Sequence, residues 1–209
     1  MLETIFRITE THRGFEIVYH ELKSKVPEKI FEDNKVEVFT IPLDHRIYCN
    51  GYLFREKPKE RHLNMAEISK YPEIETCDYH NLKLGKDFVL SDGYVLKNEV
   101  LTMPPSKSVS YAFCSDTRYS EEIISMIENV DVLYHESTFL HELKEMADYT
   151  GHSTALEAAR IARKANVRKL ILGHFSNRYG DLSVFTDEAR EVFPNTFLPK
   201  ALEPVKISV

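Results

Sequence analysis

Three short apolar runs, separated by helical patterns, constrain the fold of this chain more than any other feature. Val109-Ser110-Tyr111-Ala112-Phe113-Cys114 reads as a strand. Over 120–127, Ile123, Ile124 and Ile127 recur at helical spacing behind acidic residues in the first turn, where the helix dipole favours them. A second strand covers 130–134. Thr154-Ala155-Leu156-Glu157 has the spacing of a capping box, and Ala158, Ile161, Ala162 and Ala165 continue one apolar face. Lys169-Leu170-Ile171-Leu172-Gly173 makes a third strand, and a helix over 184–193 leads to a short strand near 196–198. Strands alternating with helices of about three turns imply an α/β fold with a parallel or mixed sheet.

In such sheets functional residues gather beyond the carboxyl ends of the strands. Asp116 lies two residues past the first strand, His135-Glu136 closes the second, and His174 follows the third. Three consecutive strands therefore deliver Asp, His-Glu and His to one edge. The front of the chain differs. Phe15-Glu16-Ile17-Val18-Tyr19-His20 and Val36-Glu37-Val38-Phe39-Thr40-Ile41 alternate like antiparallel strands with one solvated face, and Gly51-Tyr52-Leu53-Phe54-Arg55 reads as a third. Ile41-Pro42-Leu43-Asp44-His45 brings a histidine to the end of the second. Residues 57–101 follow neither pattern. The charged breaker Lys57-Pro58-Lys59-Glu60-Arg61-His62, turn signals at Lys83-Leu84-Gly85-Lys86 and Ser91-Asp92-Gly93, and one short helix near 65–69 read as an inserted arm within a single domain over 1–209.

Composition narrows the function classes. No apolar run is long enough to span a membrane, and the first residues, Met1-Leu2-Glu3-Thr4-Ile5-Phe6, carry no signal-peptide pattern, so the expected location is cytoplasmic. The net charge of −6 excludes nucleic-acid binding by bulk charge, leaving a local patch or a metal site. Cys49, Cys77 and Cys114 form no CxxC pair and read as small buried or half-buried residues.

A His/Asp/His set suits zinc, with manganese or iron also compatible with the ligand types. An aspartate has two oxygens and can bridge two ions about 3.5–4 Å apart, which makes Asp116 the candidate bridge. Singly, each residue has a plain alternative: Asp116 as a helix-preceding turn residue, His174 as a satisfied buried histidine, His45 as a loop residue between Asp44 and Arg46.

Their contexts together resemble ribonuclease Z, the tRNA 3′-end endonucleases of the metallo-β-lactamase fold. The resemblance is carried by Pro42-Leu43-Asp44-His45-Arg46-Ile47, Gly51-Tyr52, Ser115-Asp116-Thr117-Arg118, His135-Glu136-Ser137-Thr138-Phe139, Gly151-His152-Ser153-Thr154 and Ile171-Leu172-Gly173-His174-Phe175-Ser176-Asn177-Arg178-Tyr179. It covers nearly the whole chain from Phe15 onward. It implies metal ligation by His45, Asp116 and His174, with two zinc ions in the complete enzyme. It also implies that Glu136 and His152 cooperate to protonate the departing 3′ oxygen, with His135 structural. Imidazole can donate a proton near neutral pH, and a carboxylate orients it. The implied partner is precursor tRNA, gripped by the arm at 57–101, and the implied assembly is a homodimer. Ser137 stands where alanine is usual and Gly173 where threonine is common. The arm shows no Gly-Pro element, and Lys57, Lys59 and Arg61 form its compact basic cluster.

One departure is larger. The family builds its first metal site and places its general base with a His-x-His-x-Asp-His motif upstream of the position of His45. This sequence contains no His-x-His, and the histidines before His45 are His12 and His20. The expectation is an αββα sandwich with its amino-terminal part missing. Such a chain would have weak zinc affinity and little or no endonuclease activity by itself, because a water held between two ions needs both. Two alternatives stand beside this one: another hydrolase of the same fold, with a small pocket and no arm, or a non-catalytic RNA-binding or subunit-interaction fragment.

Overall fold

The computed structural model describes residues 2–12, 14–200, 202–205 and 207. Its centre is one seven-stranded sheet: β1 (Lys29–Glu32), β2 (Val36–Pro42), β3 (Asn50–Glu56), β4 (Ser110–Cys114), β5 (Val132–Glu136), β6 (Lys169–Gly173) and β7 (Thr196–Phe197), in that spatial order. The front half is antiparallel from β1 to β4, and the back half is parallel from β4 to β7. The parallel strands are joined by a 3-10 helix (Glu121–Met126), by α1 (Lys144–Thr150) and α2 (Ala155–Lys164), and by α3 (Ser183–Arg190).

Alternation along the strands sorts the side chains onto two faces. Ile41, Leu53, Ala112, Cys114, Leu133, Leu170 and Leu172 share one core with Ile123 and Ile127, with Ala158, Ile161 and Ala162 of α2, and with Phe185 of α3. Phe185 anchors this layer, with Phe175 and Tyr179 edge-on to its ring at 4.7 and 4.8 Å. The capping box read from the sequence forms. Thr154 Oγ1 accepts the Glu157 N–H (3.2 Å), and Glu157 Oε2 accepts the Thr154 N–H (3.0 Å), which satisfies two donors at the start of α2.

The opposite face carries a row set by the strand register: Tyr52, Phe113, Tyr134, Ile171 and Phe197 lie side by side from β3 to β7. Phe113 and Tyr134 stack with centroids 4.7 Å apart, and Phe197 remains 41% exposed. None of these residues belongs to the main core.

Residues 57–103 form a small lobe with its own apolar cluster of Ile68, Ile74, Leu82, Leu96 and Leu101. Two two-stranded ladders close it, His62–Leu63 with Thr102–Met103 and Phe88–Val89 with Val95–Leu96. A short helix, Met65–Ile68, stands where the sequence suggests one.

Three sequence expectations fail here. The alternating stretch 15–20 is not a strand: it has no regular structure, and Phe15 is 70% exposed. The outer neighbour of β2 is β1 instead, and an alternating pattern without a ladder partner does not make a strand. The segment at 121–126 winds as a 3-10 helix rather than an α-helix. Cys77 is exposed, whereas Cys114 is fully buried and its thiol is pushed up to about 12 by that burial.

Strand β5 is held by a carboxylate at each end. Before it, Asp131 accepts from Lys107 Nζ (2.7 Å), the Ser110 N–H (2.9 Å) and Arg168 Nη1 (3.2 Å). Burial works against its charge, but these bonds together hold its carboxyl below the usual range. At the other end, Glu136 organises the site described below. Between them His135 is fully buried on the helix-facing side, level with Cys114 and Leu172. Its Nδ1–H donates to the Glu136 carbonyl (2.8 Å), and its Nε2 meets no hydrogen-bond partner among the described residues.

Burial pushes the His135 imidazole below the usual histidine range. The unfolded chain accepts a proton there near pH ~6.5, and the folded chain does not. Stability is therefore complete above that value and falls as the pH drops below it, by up to about 1.4 kcal/mol per pH unit. Urea midpoints measured from neutral to mildly acidic pH should fall for the parent chain and fall less steeply for His135→Gln. Equal slopes would mean that His135 takes up its proton in the native state.

Candidate metal centre

The ends of β4, β5 and β6 bring Asp116, Glu136 and His174 together with His152, which lies in the loop between α1 and α2. One ligand-capable atom from each lies within 4.8 Å of the others. Asp116 and His174 both adopt left-handed backbone conformations just past their strands (φ 59° and 60°). For residues other than glycine this costs on the order of 1 kcal/mol or more, and such outliers cluster at functional sites. His174 Nε2 is 3.3 Å from Asp116 Oδ1, and both side chains are partly exposed.

Glu136 differs from the others in its surroundings. It is completely buried, and each carboxylate oxygen accepts twice. Oε1 takes the Thr117 N–H (2.7 Å) and His152 Nδ1–H (2.9 Å); Oε2 takes the Ser153 N–H (3.1 Å) and the Thr138 hydroxyl (2.6 Å). A carboxylate has about four lone-pair sites, and all of them are used here. Although its oxygens lie within ligand distance of the group, Glu136 has no direction left for a metal. It organises the residues that do.

The hydrogen-bond partners also settle which ring nitrogens carry protons. A carboxylate or carbonyl oxygen can only accept, so His152 donates through Nδ1 to Glu136. His45 likewise donates through Nδ1 to the Gly151 carbonyl (2.8 Å). The neutral forms of both rings therefore keep the Nε2 lone pair. His45 stands beside the group rather than within it, with its ring centroid 5.3 Å from that of His152, which is 5.2 Å from that of His174. Gly151 allows this approach. It ends α1 in a left-handed conformation (φ 86°), and a Cβ there would lie 2.8 Å from His45 Nδ1. Hydrogen bonds from the Asp44 N–H to Thr117 Oγ1 (3.2 Å) and from the Arg118 N–H to the Asp44 carbonyl (2.8 Å) tie the His45 loop to the Asp116 loop.

The structure thus assembles Asp116, His174, Glu136 and His152 and sets His45 next to them. Sequence reasoning assigned no role to Thr117, Thr138 or Gly151. The signal for the two threonines is faint: a small hydroxyl residue one or two positions after a strand-end carboxylate. The donor set fits a metal ion, since Asp116 offers partly exposed carboxylate oxygens beside a His174 Nε2.

No family model matches the chain. Among curated proteins it is 43% identical over 189 residues to a protein named ribonuclease Z from Bacteroides thetaiotaomicron, covering 90% of this chain and 59% of that protein. Another ribonuclease Z, from Cytophaga hutchinsonii, is 44% identical over 200 residues, covering 95% of this chain and 63% of that protein. This chain is a homologue of ribonuclease Z. It spans about three-fifths of the length of these relatives. Solved structures show the fold. The metallo-β-lactamase fold protein YhfI from Bacillus subtilis aligns with a TM-score of 0.51 at 19% identity, over 85% of this chain and 49% of that one. The short form of human tRNase Z (ELAC1) aligns with a TM-score of 0.51 at 18% identity, over 87% and 46%. The α/β fold is therefore of the metallo-β-lactamase type.

Two departures from the ribonuclease Z pattern have local reasons. Gly173 leaves room for Tyr134, whose hydroxyl would lie 2.1 Å from any Cβ built there. The Ser137 hydroxyl donates to the Gly173 carbonyl (3.2 Å), an additional tie between the ends of β5 and β6.

If Glu136 is the organiser, removing its charge should harm the fold more than removing that of Asp116. In Glu136→Gln, an amide nitrogen faces two donors in a dry site, with an expected loss of roughly 2–5 kcal/mol in urea unfolding. Asp116→Asn should stay within about 0.5 kcal/mol, because the side chain is partly exposed and asparagine tolerates its backbone conformation. Similar losses for the two variants would refute this division of roles.

Proposed function

We propose that this chain supplies the Asp116/His174/His45 side of a two-zinc phosphodiesterase centre that removes the 3′ trailer of precursor tRNA. The observation that carries the reading is the convergence of Asp116 and His174 on a Glu136–His152 pair, in a chain 43% identical to a ribonuclease Z. Asp116, His174 and, from the adjacent loop, His45 would hold the metal. When bound, the metal supplies Lewis-acid activation of water and of a phosphate oxygen. His152, fixed by Glu136 through Nδ1, presents Nε2 to the departing 3′ oxygen: the doubly protonated ring passes its Nε2 proton to that oxygen and is left as the neutral Nδ1–H form. Burial of Glu136 keeps that ring in one orientation.

The lobe over 57–101 takes the place of the tRNA-gripping arm. Its basic cluster is largely tied within the chain: Lys57 pairs with Glu32, Lys59 with Glu56 (2.7 Å), and Arg61 Nε donates to Thr102 Oγ1 (2.6 Å). RNA contact through these groups would have to compete with those partners, which favours shape and backbone contacts over bulk charge. The complete enzyme is a homodimer in this reading and works in the cytoplasm. Among the described residues no helix is long and apolar enough to cross a membrane.

A second reading, a non-catalytic RNA-binding or interaction fragment, draws on one fact: the sequence has no His-x-His. Zinc titration and cleavage of a precursor tRNA discriminate the two. We expect weak zinc binding and no cleavage by the chain alone. Adding a polypeptide that carries the His-x-His-x-Asp-His segment of a ribonuclease Z relative should give two-zinc stoichiometry and trailer removal. Substantial cleavage by the chain alone would overturn the division of the site, and no restoration in trans would favour the non-catalytic reading.

A further inference from the structure

Thr138 sits between the two functions of the site. It is buried at 8% exposure, two residues beyond Glu136. Its hydroxyl donates to Glu136 Oε2 at 2.6 Å and lies 2.9 Å from Nδ1 of His174. A threonine hydroxyl has one proton. Since the carboxylate oxygen can only accept, that proton belongs to the Glu136 bond, and the contact with His174 must run the other way. His174 Nδ1–H donates to Thr138 Oγ1. The neutral ring then carries no proton on Nε2, the atom that faces Asp116 at 3.3 Å.

We propose that Thr138 is a positioning residue of this centre. It fixes the tautomer and orientation of His174 so that Nε2 is presented as a metal ligand, and it hangs that ring on the same Glu136 carboxylate that holds His152. The proposal rests on the metal-centre reading above and adds the means by which the ligand ring is set. Two features make Thr138 the determining contact. The left-handed backbone of His174 (φ 60°) turns the chain at the end of β6 without fixing the ring, and the ring is only partly covered. The Thr138 hydroxyl is the group on its Nδ1 side. Groups at this distance from a metal usually orient the ligand and raise its affinity, and their loss costs about 10–100-fold in binding.

The test uses the intact chain in its metal-free form. Long-range proton–nitrogen correlation spectra at mildly alkaline pH report the tautomer of each histidine. In the parent, His174 should be the Nδ1–H form, as His45 and His152 should be. Thr138→Val keeps the shape and removes the hydroxyl. It should shift His174 toward the Nε2–H form, leave His45 unchanged, and weaken zinc binding by about 10–100-fold in competition with a chelator. Thr138→Ser restores the hydroxyl and should restore both readouts, which a purely structural role in packing the threonine methyl would not do. An Nε2–H His174 in the parent overturns the proposal without any variant, so it stays testable if Thr138→Val fails to fold. A valine variant that keeps the parent tautomer, or a serine variant that loses it, also overturns it. Failure of the parent to bind zinc at all, with the tautomers as expected, would count against the metal-centre reading and leave the positioning by Thr138 standing.

Discussion

The buried carboxylate of Glu136 is the interaction on which the rest of the site depends. It draws in the backbone of two loops through Thr117 and Ser153, one ring directly through His152, and a second ring through Thr138. The donors come from three places in the chain, Thr117, Thr138 and the adjacent His152 and Ser153, so one residue converts three local geometries into one arrangement. Burying a carboxylate is costly unless it is fully hydrogen-bonded, and here the cost is offset by the four donors around it. The same logic operates at the far end of β5, where Asp131 gathers Lys107, Ser110 and Arg168. A strand pinned at both ends by buried carboxylates makes a stiff base for a site.

The parallel half of the fold was legible in the sequence because local signals there agree with tertiary demands. The apolar runs at β5 and β6 are buried along nearly their whole length, β4 is buried on its helix-facing side, the capping box at Thr154 forms, and β6 matches its predicted span of 169–173. The front was less legible. Alternation at 15–20 satisfies the strand pattern but lacks a partner, while Lys29–Glu32, which has no such pattern and is exposed throughout, pairs with β2. Strand formation at a sheet edge is decided by the ladder and not by the side chains.

The candidate site divides in the same way. Asp116, Glu136, His152 and His174 could be named because strand ends in an α/β sheet concentrate functional groups, and because their neighbours match a family pattern. What could not be read was which of them has free lone pairs. Glu136 and Asp116 are both carboxylates at strand ends. The family resemblance gives them different roles, and the count of donors around each supplies the physical reason: one is an organiser with no free lone pair, the other a candidate ligand. The roles of Thr117, Thr138 and Gly151 are invisible for a related reason: they act through one backbone N–H, one hydroxyl proton and one missing Cβ, none of which leaves a pattern in composition or spacing.

Hydrogen bonds within the chain order the rings of this site, and this bears on how affinity and stability are shared. Asp116 and His174 hold left-handed conformations that an unconstrained chain would leave, and the rings of His45 and His152 are fixed through Nδ1. Folding therefore bears the cost of ordering these groups. A metal ion meeting donors already in place does not bear it a second time. A site ordered in this way should bind with less loss than one that the ion itself must assemble. The limit on affinity is then the number of donors the chain contributes, since those it has are already aimed.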